Sequence, residues 1–129
     1  MGQIKVFGLA SELNKNKDKM SEVIHSCIVD GLKYPKDKKF QRYFPMDAED
    51  FYFPAGRTEK YTIIEVSMFE GRSVETKKEF IKLMYLRFRE QLSIEENDLE
   101  ITIFETPKFN WGIRGLPGDE LTLNYKVNV

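Results

Sequence analysis

Residues 62–105 read TIIEVSMFEGRSVETKKEFIKLMYLRFREQLSIEENDLEITIFE and contain one complete unit of strand, helix and strand. The start of this stretch alternates apolar with polar residues, which is the pattern of a strand that buries one face. Ser73 then supplies a helix N-cap, and apolar residues recur at helical spacing as far as Leu92, which predicts a helix across roughly 73–92. The alternation resumes at 99–105 after a short loop, so we expect a second strand and a right-handed βαβ crossover.

The first half of the chain repeats this unit. When the sequence is shifted so that Ile4 meets Ile64, its two halves align without a gap. The matched apolar pairs include Val6 with Val66, Met20 with Phe80, Val23 with Leu83, Ile24 with Met84, Leu32 with Leu92 and Phe44 with Phe104. We therefore predict a strand near 3–9, a helix near 14–33 and a shorter strand near 39–45.

Two tandem βαβ units predict an α/β (α+β) fold in which four strands form one mixed sheet and two helices cover one face. We expect a single domain, since 129 residues are enough for one core and too few for two ordinary ones. Its parts are a first repeat at about 1–46, a connection at 47–60, a second repeat at about 61–106 and an extension at 107–129.

The extension ends in a further strand pattern. From Leu121 to Val129, apolar residues alternate with polar residues, which predicts a C-terminal strand. Its apolar face needs a partner surface, and either the parent sheet or a neighbouring subunit can supply one. We therefore expect the chain to oligomerise.

Charge and cysteine content argue against several classes of function. The 20 basic side chains are matched by 21 acidic ones, so we expect neither nucleic acid nor an anionic membrane as a partner. Cys27 is the only cysteine, which excludes an internal disulfide and fits a reducing compartment, so we expect a cytoplasmic protein. No stretch approaches the roughly 18 to 20 apolar residues of a membrane-spanning helix.

Metal and cofactor sites are not predicted either. His25 is the only histidine and lacks the second histidine or carboxylate spacing of a familiar zinc site. The chain has neither a P-loop nor a dinucleotide-binding fingerprint, because the glycines near 112–118 are not followed by a helix pattern. We therefore expect no metal and no cofactor.

Three segments resemble the tautomerase superfamily. The segment EGRS at 70–73 with the helix pattern after it, the strand at 99–105 and the segment WGIRG at 111–115 look like a 4-oxalocrotonate tautomerase subunit. The double-length chain is similar to the malonate semialdehyde decarboxylase branch, with a less specific likeness over residues 3–60. The resemblance implies a duplicated β-α-β fold that assembles as a homotrimer and acts without a cofactor on a small carboxylate.

The resemblance also implies roles for particular residues. Arg72 occupies the place of an arginine that holds a substrate carboxylate by bidentate hydrogen bonds, and Trp111 that of an apolar wall residue. The family's chemistry uses the amine of a proline exposed by removal of methionine, but here that position is Gly2 and its equivalent in the second repeat is Thr62. Removal of Met1 would expose a primary amine at Gly2, with an unperturbed pKa of roughly 7.7 to 8.0, which can take a proton or form an imine. The alternative is that Gly2 only starts an edge strand.

Two further arginines are candidates for substrate binding. Arg57 lies in the connection and Arg114 in the glycine-rich tail, where a loop can aim a cation at an anionic ligand. Glu12 stands where the repeat would place a counterpart of Arg72, so we expect at most one competent site per chain. Two functions remain open on the sequence: an isomerase of a small 2-oxo or unsaturated carboxylic acid, and a non-catalytic trimeric scaffold or small-carboxylate binding protein.

Overall fold

The computed structural model describes residues 2–123 and 125–129. Its main elements, in chain order, are β1 (Gly2–Leu9), α1 (Ala10–Leu32), β2 (Gln41–Met46), β3 (Thr62–Phe69), α2 (Val74–Leu92) and β4 (Leu99–Thr106). A short hairpin of β5 (Gly112–Ile113) and β6 (Leu116–Pro117) follows. None of the helices in the described part of the chain is long and apolar enough to span a membrane.

The first four strands form one mixed sheet, as the two βαβ patterns predicted, and their order is β2, β1, β3, β4. Each unit contributes a parallel pair, and the two units meet through the antiparallel pair of β1 and β3. In that pair Gly2 lies opposite Met68, and Gly8 lies opposite Thr62. The two units therefore start at opposite ends of the sheet, and any site built on one start is remote from a site built on the other.

The core lies between the sheet and both helices. The strand residues in it are those that the alternation assigned to one face, namely Ile4, Val6, Ile64, Val66 and Met68. The helices cover them with side chains that include Leu13, Met20, Ile24, Phe80, Met84 and Phe88. Each large apolar side chain contributes about 1.5–3 kcal/mol when fully buried, so this layer holds the sheet and the helices together.

The two helices begin in different ways. α2 follows the predicted N-cap, since the Ser73 hydroxyl accepts a hydrogen bond from the Thr76 amide at 3.1 Å. α1 begins at Ala10, earlier than the predicted start near 14, and no side chain caps it. Leu13 instead packs against Gly8, where an added Cβ would lie 3.0 Å from the leucine Cγ. The start of α1 therefore lacks the capping signal that marks the start of α2.

The predicted C-terminal strand is wrong, because residues 121–123 and 125–129 belong to no strand. Val127 instead packs against Phe69, in a cluster that the tail shares with the hairpin. The Val129 carbonyl accepts hydrogen bonds from the Ser73 amide at 2.8 Å and from the Thr76 hydroxyl at 2.9 Å. Alternation reports only that one face of an extended segment is buried, and here a side-chain cluster buries it without a neighbouring strand.

Candidate functional site

Three segments meet at the end of the sheet where β1 begins. β1 starts at Gly2, which pairs with β3 close to the end of that strand. The chain leaves β3 through Gly71, whose φ of 136° favours glycine, and the next residue is Arg72. On the helix side, Lys33 turns the chain at the end of α1 with a φ of 63°. Tyr34 then returns to the same end of the sheet and contacts Gly2.

Arg72 is a buried cation, with only 4% of its surface exposed. Its Nε donates a hydrogen bond to the Leu32 carbonyl at 3.2 Å, and its guanidinium carbon lies 4.5 Å from the centre of the Tyr34 ring. Within the described chain Arg72 forms no ion pair, and its Nη2 has no hydrogen-bond partner. Burial lowers the pKa of Arg72, while Tyr34 and Glu105 oppose that effect. Glu105 is itself bound by Lys77 at 2.7 Å, so the site holds a cation without an anionic partner.

Tyr34 presents a buried hydroxyl to residue 2. Only 3% of Tyr34 is exposed, and its hydroxyl has no hydrogen-bond partner among the residues that the structure describes. A Cβ added to Gly2 would lie 2.8 Å from this hydroxyl oxygen and 3.0 Å from the ring carbon Cζ. Burial raises the pKa of Tyr34 above its ordinary value of 10.0, and the charge of Arg72 and its donor close to the phenol oxygen oppose only part of the shift. The phenol is therefore neutral at physiological pH and can donate its hydrogen.

A small cavity lies beside Gly2. Its volume is about 10 Å³, and its lining includes Gly2, His25, Tyr34, Lys38, Phe40 and Gln41. This volume has room for about one water molecule. A carboxylate therefore reaches the space next to Gly2 only when a lining side chain moves. His25 belongs to this lining, although the sequence indicated no role for it.

Trp111 and Arg114 lie on or beside the hairpin. The Trp111 ring packs edge-on against Phe69, the last residue of β3, with the ring centres 5.3 Å apart. Arg114 occupies the turn between β5 and β6 with a φ of 51° and is exposed. Both residues line an open groove of about 350 Å³. The structure thus brings Trp111 to the Arg72 end of the sheet as a packed side chain and leaves Arg114 in solvent.

Arg57 lies at the opposite end of the sheet from Gly2. Its guanidinium carbon is 5.9 Å from the centre of the Tyr61 ring, and its Nη2 is 3.5 Å from a Glu100 carboxylate oxygen. Tyr61 directly precedes β3, whose start pairs with the far end of β1. Within one chain, therefore, Arg57 does not join Arg72, and the predicted site residues are divided between the two ends.

A larger pocket, of about 230 Å³, lies at that opposite end and includes Thr62 in its lining. Thr62 is the counterpart of Gly2 in the second repeat. Glu12 lines this pocket in the place of Arg72 and pairs with Lys15 at 2.7 Å. Since its described lining includes no arginine, the larger pocket does not reproduce the arrangement around Arg72.

A family model described as a tautomerase enzyme matches residues 38–114, which is more than half of the chain. The chain belongs to the tautomerase superfamily. The matched segment contains Arg72, Trp111 and both weaker candidates, Arg57 and Arg114. Gly2 lies outside it.

Two curated relatives of the chain are also named as tautomerases. A protein named probable tautomerase YusQ, from Bacillus subtilis strain 168, is 22% identical over 98 residues, which cover 72% of this chain and 77% of the relative. The 2-hydroxymuconate tautomerase of Comamonas testosteroni is 35% identical over 57 residues, which cover 44% of this chain and 90% of that protein.

Solved tautomerase structures share the fold. Native fused 4-OT has a TM-score of 0.82 at 18% identity, covering 92% of this chain and 98% of that one. Malonate semialdehyde decarboxylase has a TM-score of 0.79 at 16% identity, covering 89% of this chain and 93% of that one. A structure described as the F6 fused 4-OT wild type asymmetric trimer has a TM-score of 0.80 at 16% identity, covering 91% of this chain and 96% of that one. At these identities the likeness shows the fold alone.

Sequence reasoning missed Tyr34 at the Gly2 end of the sheet. The internal repeat contained a signal, since its alignment pairs Tyr34 with Ile94 and both residues are buried. A hydroxyl that replaces an aliphatic group at a buried position needs a partner or a function. The pairing alone does not reveal the neighbours, because Gly2 and Arg72 are distant in sequence and meet Tyr34 only through the fold.

One group of acidic side chains has the spacing for a metal ion. Ligand atoms of Asp47, Glu49 and Asp50 lie within 4.8 Å of one another, the one such group found in the described residues. All three are exposed, and such groups are common without an ion. They follow β2, at the end of the sheet away from Gly2, so the candidate site around Arg72 does not include them.

Proposed function

We propose that this member of the tautomerase superfamily is a cofactor-independent isomerase of a small 2-oxo or unsaturated carboxylic acid, which it binds at Arg72. The observation that carries the proposal is the buried guanidinium, which has no anionic partner in the described chain and keeps one donor unpaired. An isolated buried charge is unfavourable, and a bound carboxylate would compensate it through charge-assisted hydrogen bonds. A ligand carboxylate is the anion that we propose for this site.

The proton-transfer group that we propose is the amine of Gly2 after removal of Met1. This amine would stand at the start of β1, where Tyr34 contacts residue 2 and Arg72 supplies a positive charge. A nearby cation favours the neutral form of an amine. The neutral amine takes a proton from one end of the substrate's conjugated system, and the resulting ammonium returns a proton to the other end. Substrate and product then differ only in the position of one hydrogen and one double bond.

A second function is carboxylate binding without turnover. It is favoured because the small volume beside Gly2 leaves little room for a substrate next to the amine. The cavity of about 10 Å³ holds no substrate unless a neighbouring side chain moves. The residue at position 2 also lacks the secondary amine that the family resemblance implies. Both functions use Arg72, and they differ only in whether the amine exchanges protons.

The deciding experiment combines intact-mass analysis with tautomerisation of phenylpyruvate and 2-hydroxymuconate. We expect Met1 to be absent and turnover to rise with pH along a single titration, because only the neutral amine accepts a proton. The matched control is the same protein carrying one additional residue before Gly2, which should bind substrate without converting it. Turnover by that extended protein would rule out the amine mechanism, and binding without turnover by the native protein would establish the second function.

We also propose that the chain assembles as a homotrimer through the outer face of the sheet. Phe7 and Phe44 stack on this face with ring centres 4.8 Å apart, and Phe104, also on it, is 50% exposed. Exposed apolar patches of this kind mark interaction surfaces. Similar folds in structures described as symmetric and asymmetric trimers support this choice of assembly.

Charge on the outer face should break the assembly. We expect the Phe104→Glu protein to elute as a species smaller than the wild type, which should have the mass of three chains by size-exclusion chromatography with light scattering. A buried unpaired carboxylate in each interface is the physical reason. Leu86→Glu is the control, because Leu86 is a half-exposed apolar residue on α2 rather than on the sheet. A wild-type mass for Phe104→Glu would exclude this face.

A further inference from the structure

The proposed mechanism gives no role to the Tyr34 hydroxyl. This hydroxyl is buried and has no hydrogen-bond partner in the described chain, whereas buried polar groups are nearly always paired. A core tyrosine that served only for packing would do better as phenylalanine, which keeps the ring and removes the unpaired group. The unpaired hydroxyl therefore indicates that a ligand atom accepts its hydrogen.

The position of the hydroxyl is next to the reacting end of the chain. The 2.8 Å separation from a Cβ at residue 2 means that the tip of Tyr34 occupies the space of a side chain there. The ring has little room to move away from residue 2. The guanidinium carbon of Arg72 lies 4.5 Å from the ring centre, and the centre of the Tyr125 ring lies 5.1 Å from it. Glycine at position 2 thus makes room for a hydroxyl beside the N-terminal segment.

This stacked pair of side chains offers two donors to a ligand, the Tyr34 hydroxyl and the Arg72 Nη2. Arg72 can act only on the phenol oxygen, so no described group accepts the hydrogen of the hydroxyl. A 2-oxo acid carries two neighbouring acceptors, which are its carboxylate and the adjacent ketone oxygen. The charged guanidinium suits the carboxylate, and a neutral phenol suits an oxygen on which negative charge develops as the enol forms. The chemistry of the two donors therefore matches the two acceptors of this class of ligand.

We propose that Tyr34 is a second substrate-binding residue of this site, and that its hydroxyl donates a hydrogen bond to the 2-oxo oxygen of an acid whose carboxylate is held by Arg72. The inference rests on the carboxylate site of the proposed function and adds the recognition of the 2-oxo group. Tyr34 thereby selects 2-oxo acids over acids that lack this oxygen. Because the ligand-free cavity is small, a side chain that lines it must also move when the acid binds.

The test uses two acids that differ at the 2-position. Phenylglyoxylate has the 2-oxo oxygen and no hydrogen next to the ketone, so it cannot enolise, and phenylacetate lacks the oxygen. By titration calorimetry we expect the wild type to bind phenylglyoxylate about tenfold or more tightly than phenylacetate, since a site with an unpaired donor rejects the analogue that lacks its acceptor. Tyr34→Phe should abolish the difference and leave the affinity for phenylacetate unchanged.

The control variant is Tyr85→Phe, in which the lost hydroxyl donates to the Leu99 carbonyl at 2.7 Å, outside the site. It should keep the preference for phenylglyoxylate. If the Tyr34→Phe protein does not fold, wild-type protein labelled at tyrosine Cζ replaces it, and phenylglyoxylate but not phenylacetate should shift the Tyr34 resonance.

The outcomes separate the two proposals. If both acids bind through Arg72 and Tyr34→Phe keeps the wild-type preference, the role of Tyr34 is overturned while the carboxylate site stands. If neither acid binds to the wild type, the carboxylate site and the role of Tyr34 are both overturned. A preference that disappears with the hydroxyl, while phenylacetate still binds, supports both.

Discussion

Replacing Arg72 with alanine should abolish carboxylate binding. We expect the affinity for phenylglyoxylate to fall about 30-fold or more, since truncating one partner of a buried, hydrogen-bonded charge pair costs about 2 kcal/mol or more. The free energy of unfolding should change far less, because the variant loses the bond to the Leu32 carbonyl but also relieves an uncompensated buried charge. Calorimetric titration and thermal unfolding measure the two quantities on the same preparation.

Two further variants serve as comparisons for the Arg72→Ala result. Arg72→Lys keeps the charge without the planar fork, so we expect it to recover only part of the affinity. Arg89→Ala removes an exposed arginine from α2 and should leave binding unchanged. If Arg72→Ala binds phenylglyoxylate as the wild type does, Arg72 is only a packing residue and the proposed function is wrong.

Introducing proline at position 2 should destabilise the protein rather than restore a family feature. The new Cβ would lie 2.8 Å from the Tyr34 hydroxyl oxygen and 3.0 Å from Cζ, and the buried ring has little room to move. Overpacking of this kind costs about 1–3 kcal/mol, and we expect Gly2→Pro to lower the free energy of unfolding by that amount. Gly2→Ala, which adds the Cβ without closing a ring, should show a smaller loss of the same origin.

A second substitution at Tyr34 tests this steric account. In a double-mutant cycle, Gly2→Pro should cost less in a Tyr34→Ala background, because the overlapping atoms are gone. The measurement is denaturant unfolding of the two single variants, the double variant and the wild type. Equal costs of Gly2→Pro in the two backgrounds would mean that Tyr34 does not limit the size of residue 2.

Most of the fold was predictable because its signals are local. The alternation around Ile64 and Val66 and the cap at Ser73 each depend on a few neighbouring residues, and the structure confirms the strand and the helix that they predict. The tail after Leu121 shows the limit of the same signal. Its apolar and polar residues do alternate, but only the packing around Phe69 decided that its described residues, 121–123 and 125–129, form no strand.

The candidate site was predictable only in part. Arg72 and Trp111 were found because short segments around them resemble a known family, and the structure places both at one end of the sheet. Arg57 came from its position in a loop, and loop position does not determine which end of the sheet a side chain reaches. Tyr34 belongs to no motif, and its proposed role is inferred from its contacts with Gly2 and Arg72.

The sequence by itself determined the duplicated unit with its two helices and four sheet strands, and the family to which the chain belongs. These properties follow from periodicity and from short segments, which act over one turn of helix or one stretch of strand. Only the tertiary structure decided that Tyr34 contacts Gly2 and stacks on Arg72. The physical reason is the register of the antiparallel β1–β3 pair, which brings the start of the chain to the loop after β3 and sets a neutral hydroxyl beside a buried cation.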